Sequence, residues 1–522
     1  MQCILLPRKR HTTRVKKLSL SLDKNLQTLK TLLPAEDILT FRFSSADGVA
    51  CAVVYTDGMV NKGLLGDLIA RPLSQLALKG KNTSNSDEKQ QKKGGRDEIN
   101  VDFVKKHLLF PELKDMAETG KIVAEILDGN ALFLADGLKT GLIVGAKMLP
   151  VRAITEPPGD VAIKGPREGF IEDFKTNATL LRKRLKSPDL RMDTMRVGRR
   201  SDTLVAVCYL DGICDESLKK AVTKKIKSID VDVIPDSSYV TAMIAPRKHS
   251  IFRSVGTTEK PDVFAAKLSE GRVGILVDGS PIALTVPFSL TEDFQSSEDY
   301  FVSPFTATLF RALRFFAVLV ALLLPAIYVT TQLFKMQLLP LGLMLTIAKS
   351  VQELPFSPSM EMFAVLLILE ILKEASIRMP KYVGMSLSVV GALVLGEAAV
   401  SAGFLSTPAI IIVAFSGICL YTVPNFVETG SILRWFFLVV AGSFGPFGLM
   451  LAATFVLYYL ISADSFGMPP LAPFSPLVAH DLRDSIAKYN VRNLSTRPKS
   501  YRSPNKTRLR VGQKGDSDDK KL

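Results

Sequence analysis

The strongest constraint on this chain is where its charges are missing. Ionisable residues are dense before Phe301 and after Arg483, and sparse between Phe315 and Ile461. Four apolar runs fall in that interval. Phe315–Phe334 has 20 residues and no charge, and Val383–Phe404 has 22 with Glu397 alone. Ser406–Val423 has 18 with no charge. Trp435–Ile461 has 27 with none, interrupted by Gly442, Gly445, Pro446 and Gly448. A helix needs about 20 apolar residues to cross the hydrocarbon core of a bilayer. Four such runs within about 150 residues exceed the core of a soluble domain. The expectation is a C-terminal α-helical transmembrane bundle over residues 301–461, with a basic cytoplasmic tail at 462–522.

The stretch 338–378 fits less simply. Leu338–Ala348 is too short to span. Met362–Leu372 is apolar but ends among Glu370, Lys373, Glu374 and Arg378, between Pro355, Pro358 and Pro380. It reads as re-entrant or interfacial. Four spans return the chain to its starting side. Arg311 and Arg314 before the first run, and Arg492, Arg497, Lys499, Arg502 and Lys506 in the tail, place both ends on the cytoplasmic side. Lys373, Arg378 and Lys381 then fall on the wrong side for that rule. At the N-terminus, Met1–Leu6 is followed at once by Arg8, Lys9 and Arg10, the reverse of a secretory signal, so the aqueous region is expected in the cytoplasm.

That aqueous region contains a duplication. Ala52–Val60 (AVVYTDGMV) matches Ala206–Cys214 (AVCYLDGIC), and Glu125–Val144 (EILDGNALFLADGLKTGLIV) matches Lys267–Val286 (KLSEGRVGILVDGSPIALTV). Asp-Gly between apolar runs signals a hairpin, because glycine takes positive φ at little cost. Asp57 and Asp211 are 154 positions apart and Asp136 and Asp278 are 142 apart, a difference roughly the length of the polar insert Lys79–Arg96. The fold expected is a multi-domain α/β cytoplasmic region of two related α/β subdomains, at 35–150 and 195–300. A basic segment (1–34) precedes them, and a connector (151–194) with a helix over Phe170–Leu185 joins them.

With 522 residues and a net charge of +15, the chain exceeds one core. Its five cysteines are odd in number and form no C-x-x-C, which reads as reduced structural thiols. Four histidines offer no metal-ligand spacing. No nucleophile–base pair or phosphate loop stands out, so no enzyme, no metal and no cofactor is expected. The basic tail reads as a topology or lipid-headgroup signal rather than a nucleic-acid contact.

Several ordered blocks carry a family likeness. They are the Thr155–Asn177 segment (TEPP…KGPREGFIED…TN), VGILVDGSPIALTVPFSL at Val273–Leu290, LFRALRFF at Leu309–Phe316, and ELPFSPSMEMFAVLLILEILKEASIRMP at Glu353–Pro380. YTVPNF at Tyr421–Phe426 and SFGMPPLAPFSP at Ser465–Pro476 complete the series. Together they resemble the A subunits of GerA-type spore germinant receptors. The resemblance implies a multi-pass protein of the spore inner membrane. It further implies partnership with a transporter-like B subunit and a lipoprotein C subunit, and assembly of a homo-oligomer into a nutrient-gated ion channel. A stage V sporulation AF-like accessory channel shares this architecture. A secondary transporter is a further alternative, favoured by the break at Gly442–Gly448 but lacking matched membrane repeats.

The residues can be asked independently where a channel could form. In Val383–Phe404, Gly384, Ser388, Ala392, Gly396, Ala399 and Gly403 fall in a stripe of about 120° at 100° per residue. Small stripes let membrane helices approach closely. Glu397 lies on another face and needs water, a partner or a proton. Val389, Val390, Leu393 and Val394 could form a hydrophobic constriction, and Glu397, Glu370 and Glu374 a charged mouth or gate.

Overall fold

In the strand Ala50–Thr56, Cys51 and Val53 pack into one apolar cluster while Ala52 and Val54 pack into another. Successive side chains of a strand face opposite sides, so this sheet is covered on both faces. That is why the run reads as continuously apolar rather than alternating. The computed structural model describes residues 17–78, 101–108, 110, 112–148, 164–247, 250–352, 354–380, 383, 396–490 and 494–508. The insert Lys79–Arg96 lies outside them.

The first sheet comprises β1 (Ile38–Ser44), β2 (Ala50–Thr56), β3 (Leu113–Met116), β4 (Ala131–Ala135) and β5 (Gly141–Val144), in the order β1-β2-β4-β5-β3. The second comprises β6 (Leu190–Val197), β7 (Thr203–Leu210), β8 (Gly256–Thr258), β9 (Val273–Val277) and β10 (Ala283–Val286), in the order β6-β7-β9-β10-β8. All neighbours are antiparallel, and the two orders are the same.

The helices repeat as well. In the first unit α1 (Leu22–Leu32) and α2 (Thr119–Leu127) cover one sheet face, and helical turns at 62–75 and 101–107 cover the other. In the second, α3 (Phe174–Arg184) and α6 (Pro261–Ser269) cover one face, and α4 (Glu216–Lys227) and α5 (Ser237–Ile244) the other. On α4, Leu218, Val222 and Ile226 recur every four residues and are buried, and Asp215 caps the first turn through the Ser217 N–H at 3.1 Å.

The hydrogen bonds show how deep the duplication runs. Asp136 Oδ1 accepts from the Leu22 N–H at the start of α1 (3.1 Å), and Asp278 Oδ1 accepts from the Phe174 N–H at the start of α3 (3.2 Å). The next residues, Gly137 and Gly279, donate to Leu20 O and Glu172 O, both at 2.8 Å. Asn25 and Asn177 each close a loop through two bonds, to Ser19 and Ile171 respectively. The Asp-Gly pairs between β4 and β5 and between β9 and β10 thus cap distant helices as well as turning the chain.

Two sequence readings change. The helix expected over Phe170–Leu185 starts at Phe174, because Asp173 caps it by accepting from the Thr176 N–H at 2.7 Å. This helix occupies in the second unit the place of α1 in the first, rather than a connector between units. In turn α1, with Leu22, Leu26 and Leu29 buried, lies inside the stretch read as a basic N-terminal segment. Arg182 of α3, almost wholly buried, clamps the units together through Asp37 at 2.8–3.0 Å.

The C-terminal part is helical: α7 (Pro304–Phe334), α8 (Leu341–Val351), α9 (Pro358–Arg378), α10 (Gly396–Ser401), α11 (Thr407–Tyr421) and α12 (Val427–Ile461). Among the described residues two helices, α7 and the one ending at Ile461, are long and apolar enough to cross a membrane. The third apolar run yields a helix of only 15 residues, and α9 is continuous over 21. Gly445 breaks α12 with φ 63° and ψ −150°, followed by Pro446. The tail folds back on the second unit: Leu290 N–H donates to Pro470 O (2.7 Å), Ser503 Oγ donates to Ile213 O (2.7 Å), and Arg497 Nε donates to Ser269 O (2.7 Å).

Candidate functional site

Four helices converge on one buried cation. Arg434, in the first half of α12, is 2% exposed and sits among apolar neighbours. Its guanidinium meets Glu370 Oε1 of α9 at 2.7 Å and donates to Ser416 Oγ of α11 at 3.2 Å. Ser416 in turn donates to the Ala321 carbonyl of α7 at 2.8 Å. Lys373, one turn along from Glu370, pairs with it at 2.5 Å and donates to Ser431 Oγ at 3.1 Å. Each charge removed from water needs its partner held in place. The chain supplies the carboxylate from 64 positions away and the Ser416–Ala321 bond spans 95, so the network ties α9, α11 and α12 to α7.

A second polar layer joins the helices to the second α/β unit. Arg311, fully buried on α7, pairs with Asp299 and Asp484 at 3.0 Å each, and Arg314 holds both Asp299 oxygens at 2.9–3.0 Å. Burial alone would raise the Asp299 carboxyl, but these arginines hold it below its usual range. Lys488 of the tail caps the Asp299 and Val302 carbonyls. Beside this layer lies a cavity of about 500 Å³ between the second unit, the tail and the α11–α12 turn, lined by Arg272, Glu292, Asp293, Arg314, Asp481 and Tyr501, among others. Arg272 is held there by Glu292, Glu270 and the Tyr501 hydroxyl.

Of the residues singled out from sequence, Glu370 sits in the buried network. Glu374 lies at the exposed end of α9, paired with Arg378 at 2.6 Å. Glu397 is exposed on the short helix α10, and Glu370 rather than Glu397 partners Arg434. Ala399 is half-buried; Gly396 and Gly403 have room for a methyl group with no neighbour within 4 Å among the described residues. Gly384, Ser388, Val389, Val390, Ala392, Leu393 and Val394 lie outside the described residues.

The charges used for topology are mostly spoken for. Arg311 and Arg314 are neutralised by Asp299 and Asp484, so they do not act as free flanking positives. Lys373 and Arg378 are paired with Glu370 and Glu374, which removes most of the charge conflict that the sequence raised. Sequence reasoning missed Ser416 and Asp299. Ser416 carried one signal, an isolated polar residue within an apolar run, whereas Asp299 is one of several acidic residues in 292–299 and carried none.

Residues 26–500 match the family described as "Bacillus/Clostridium GerA spore germination protein". Spore germination protein KA of Bacillus subtilis (strain 168) is 33% identical over 94% of this chain and 88% of its own length. Membrane protein YfkQ of the same organism is 34% identical over 95% of this chain and 93% of its own. Spore germination protein GerLA of Bacillus cereus is 30% identical over 94% and 98%. The N-terminal domain of the A subunit of the Bacillus megaterium spore germinant receptor GerK3 aligns with 52% of this chain and 97% of its own, at 25% identity and a TM-score of 0.37. The chain belongs to the GerA family of spore germination proteins.

Proposed function

We propose that this chain is the A subunit of a nutrient germinant receptor of the spore inner membrane. In this reading the C-terminal helices form a multi-pass transmembrane bundle, and copies of the chain assemble into a nutrient-gated ion channel. The observation that carries the membrane part is the inside-out distribution of polarity among the helices. Phe316, Phe444, Phe447 and Met450 stand 64–72% exposed, while Arg434 and Arg311 are buried and paired. In water that arrangement is unfavourable; in lipid it is the arrangement expected. The docking of the tail on the second unit supports an even number of crossings, with the N-terminal units and tail on the cytoplasmic side, facing the spore core.

The partners implied by the family likeness are a transporter-like B subunit, which would receive the nutrient, and a lipoprotein C subunit. The segment 383–404 is the pore candidate: its small-residue stripe would pack against neighbouring copies, and Val389, Val390, Leu393 and Val394 would form the constriction, with Glu397 at its mouth. Glu370 is reassigned in this reading from pore lining to the buried tie between helices. The test is ion release from proteoliposomes carrying the chain with and without its partner subunits. Nutrient-dependent release with partners present is expected, and release without nutrient in Val390→Ser or Val394→Ser. No flux in any combination would refute the channel.

A further inference from the structure

Glu361 is a fully buried carboxylate that the network above does not use. It lies in the first turn of α9, next to Met362, which packs in an apolar cluster with Val329, Ile347, Leu405 and Ala409. One oxygen accepts the Ser406 backbone N–H at the start of α11; the other, Oε2, is buried with no hydrogen-bond partner among the described residues. Nearby, on one face of α7, Gln332 Nε2 donates to the Tyr328 hydroxyl at 2.9 Å, and Gln332 Oε1 is likewise buried and without a partner among the described residues. The Tyr328 hydroxyl reaches the Ser406 side chain, and the Glu361 carboxylate is close enough to act on it electrostatically.

The inventory of this cluster is lopsided. It holds a net negative charge and two free acceptor oxygens, with hydroxyl oxygens beside them. The N-terminal ends of α9 and α11 both face Glu361, and their dipoles offset part of its charge. They leave Oε2 and Gln332 Oε1 unanswered, and an unpaired buried acceptor is costly. What fits an all-oxygen cluster is a hard cation. One carboxylate balances one positive charge, whereas a divalent ion would leave a buried excess. We propose that Glu361, Gln332, Tyr328 and Ser406 form a binding site for a monovalent alkali cation between α7, α9 and α11. The site does not depend on whether the chain conducts ions.

The test uses the purified full chain in detergent or nanodiscs. Thermal unfolding is followed by Trp435, the sole tryptophan, which packs against the same apolar cluster. Series in NaCl, KCl and N-methyl-D-glucamine chloride are compared at equal ionic strength. The expected result is an upward shift of the midpoint that saturates with Na⁺ or K⁺ and is absent with the bulky organic cation. The shift is lost in Glu361→Gln and weakened in Gln332→Met, which keeps volume but removes the amide oxygen. Equal midpoints in all three salts would overturn the site. So would an undiminished shift in Glu361→Gln or, if that variant does not fold, in Gln332→Met. A midpoint that follows pH but not the cation would assign a proton instead and overturn it equally.

Discussion

Replacing Arg434 by Met tests whether the polar network holds the helices together. The change removes the 2.7 Å contact to Glu370 and the 3.2 Å contact to Ser416, and leaves Glu370 with Lys373 as its remaining cation. Breaking a buried pair by deleting one partner costs about 3–5 kcal/mol. Glu370 keeps Lys373 and is about one-fifth exposed, so the lower end applies, about 3 kcal/mol. For a cooperative unit of 150–250 residues this lowers the midpoint by roughly 6–12 °C. Trp435 is adjacent in sequence and stacks edge-on with Phe363 at 4.5 Å, so its fluorescence reads this region rather than the α/β units. The double change Arg434→Met with Glu370→Met removes both charges and recovers most of the loss, because an ion pair and an apolar pair of similar volume are near equal in such a site. A midpoint within about 2 °C of the parent in the single variant, or no recovery in the double one, would refute the reasoning.

Asp278→Ala and Asp136→Ala each remove a cap on a helix more than a hundred residues away; each is expected to cost about 1 kcal/mol in urea unfolding, with similar values because the two sites are duplicates. Burial alone would raise the Glu292 carboxyl, but Arg272 and Lys267 lower it from 4.5 to about 2, so its contribution is full above pH 4.5 and is lost as pH falls toward 2. Burial dominates at Asp293, raised from 3.8 to about 6 against the pull of Arg253, so this group favours the fold at low pH and that contribution is lost as pH rises from about 4 to about 6. Release of the tail, followed by limited proteolysis after Ser465, should therefore rise below pH 4.5 and not in Glu292→Gln, which has already lost the charge. Burial pushes the Cys51 and Cys214 thiols up to about 12 and Cys208 higher still, so these three should resist alkylation at pH 8 until the α/β units are unfolded.

Local patterns carried much of the architecture. The charge-free runs marked α7 and α12 because only an apolar medium or a deep core tolerates such stretches. The Asp-Gly pairs marked the duplicated strand ends because each needs a glycine at positive φ, as at Gly137 and Gly279. The α1 helix was hidden because its leucines are separated by polar residues, Lys24 and Lys30 among them, in a stretch that follows a run of basic residues. The network could not be read because its partners are far apart: Arg434 and Glu370 are separated by 64 positions, and Glu370 read as part of a re-entrant or interfacial segment or of a charged gate. Glu361 carried no signal either, since nothing near it in sequence foretells the Ser406 N–H that holds it.

The most direct test of the central claim is sidedness. In sealed vesicles of a Cys3→Ser variant, single cysteines are placed at Asp202 in the second unit, at Asn505 in the tail and at Lys335 just past α7, and an impermeant thiol reagent is added from one side. The account predicts that positions 202 and 505 react together and that 335 reacts only from the opposite side. Labelling of 202 and 505 from opposite sides, or of all three from one side, would contradict it.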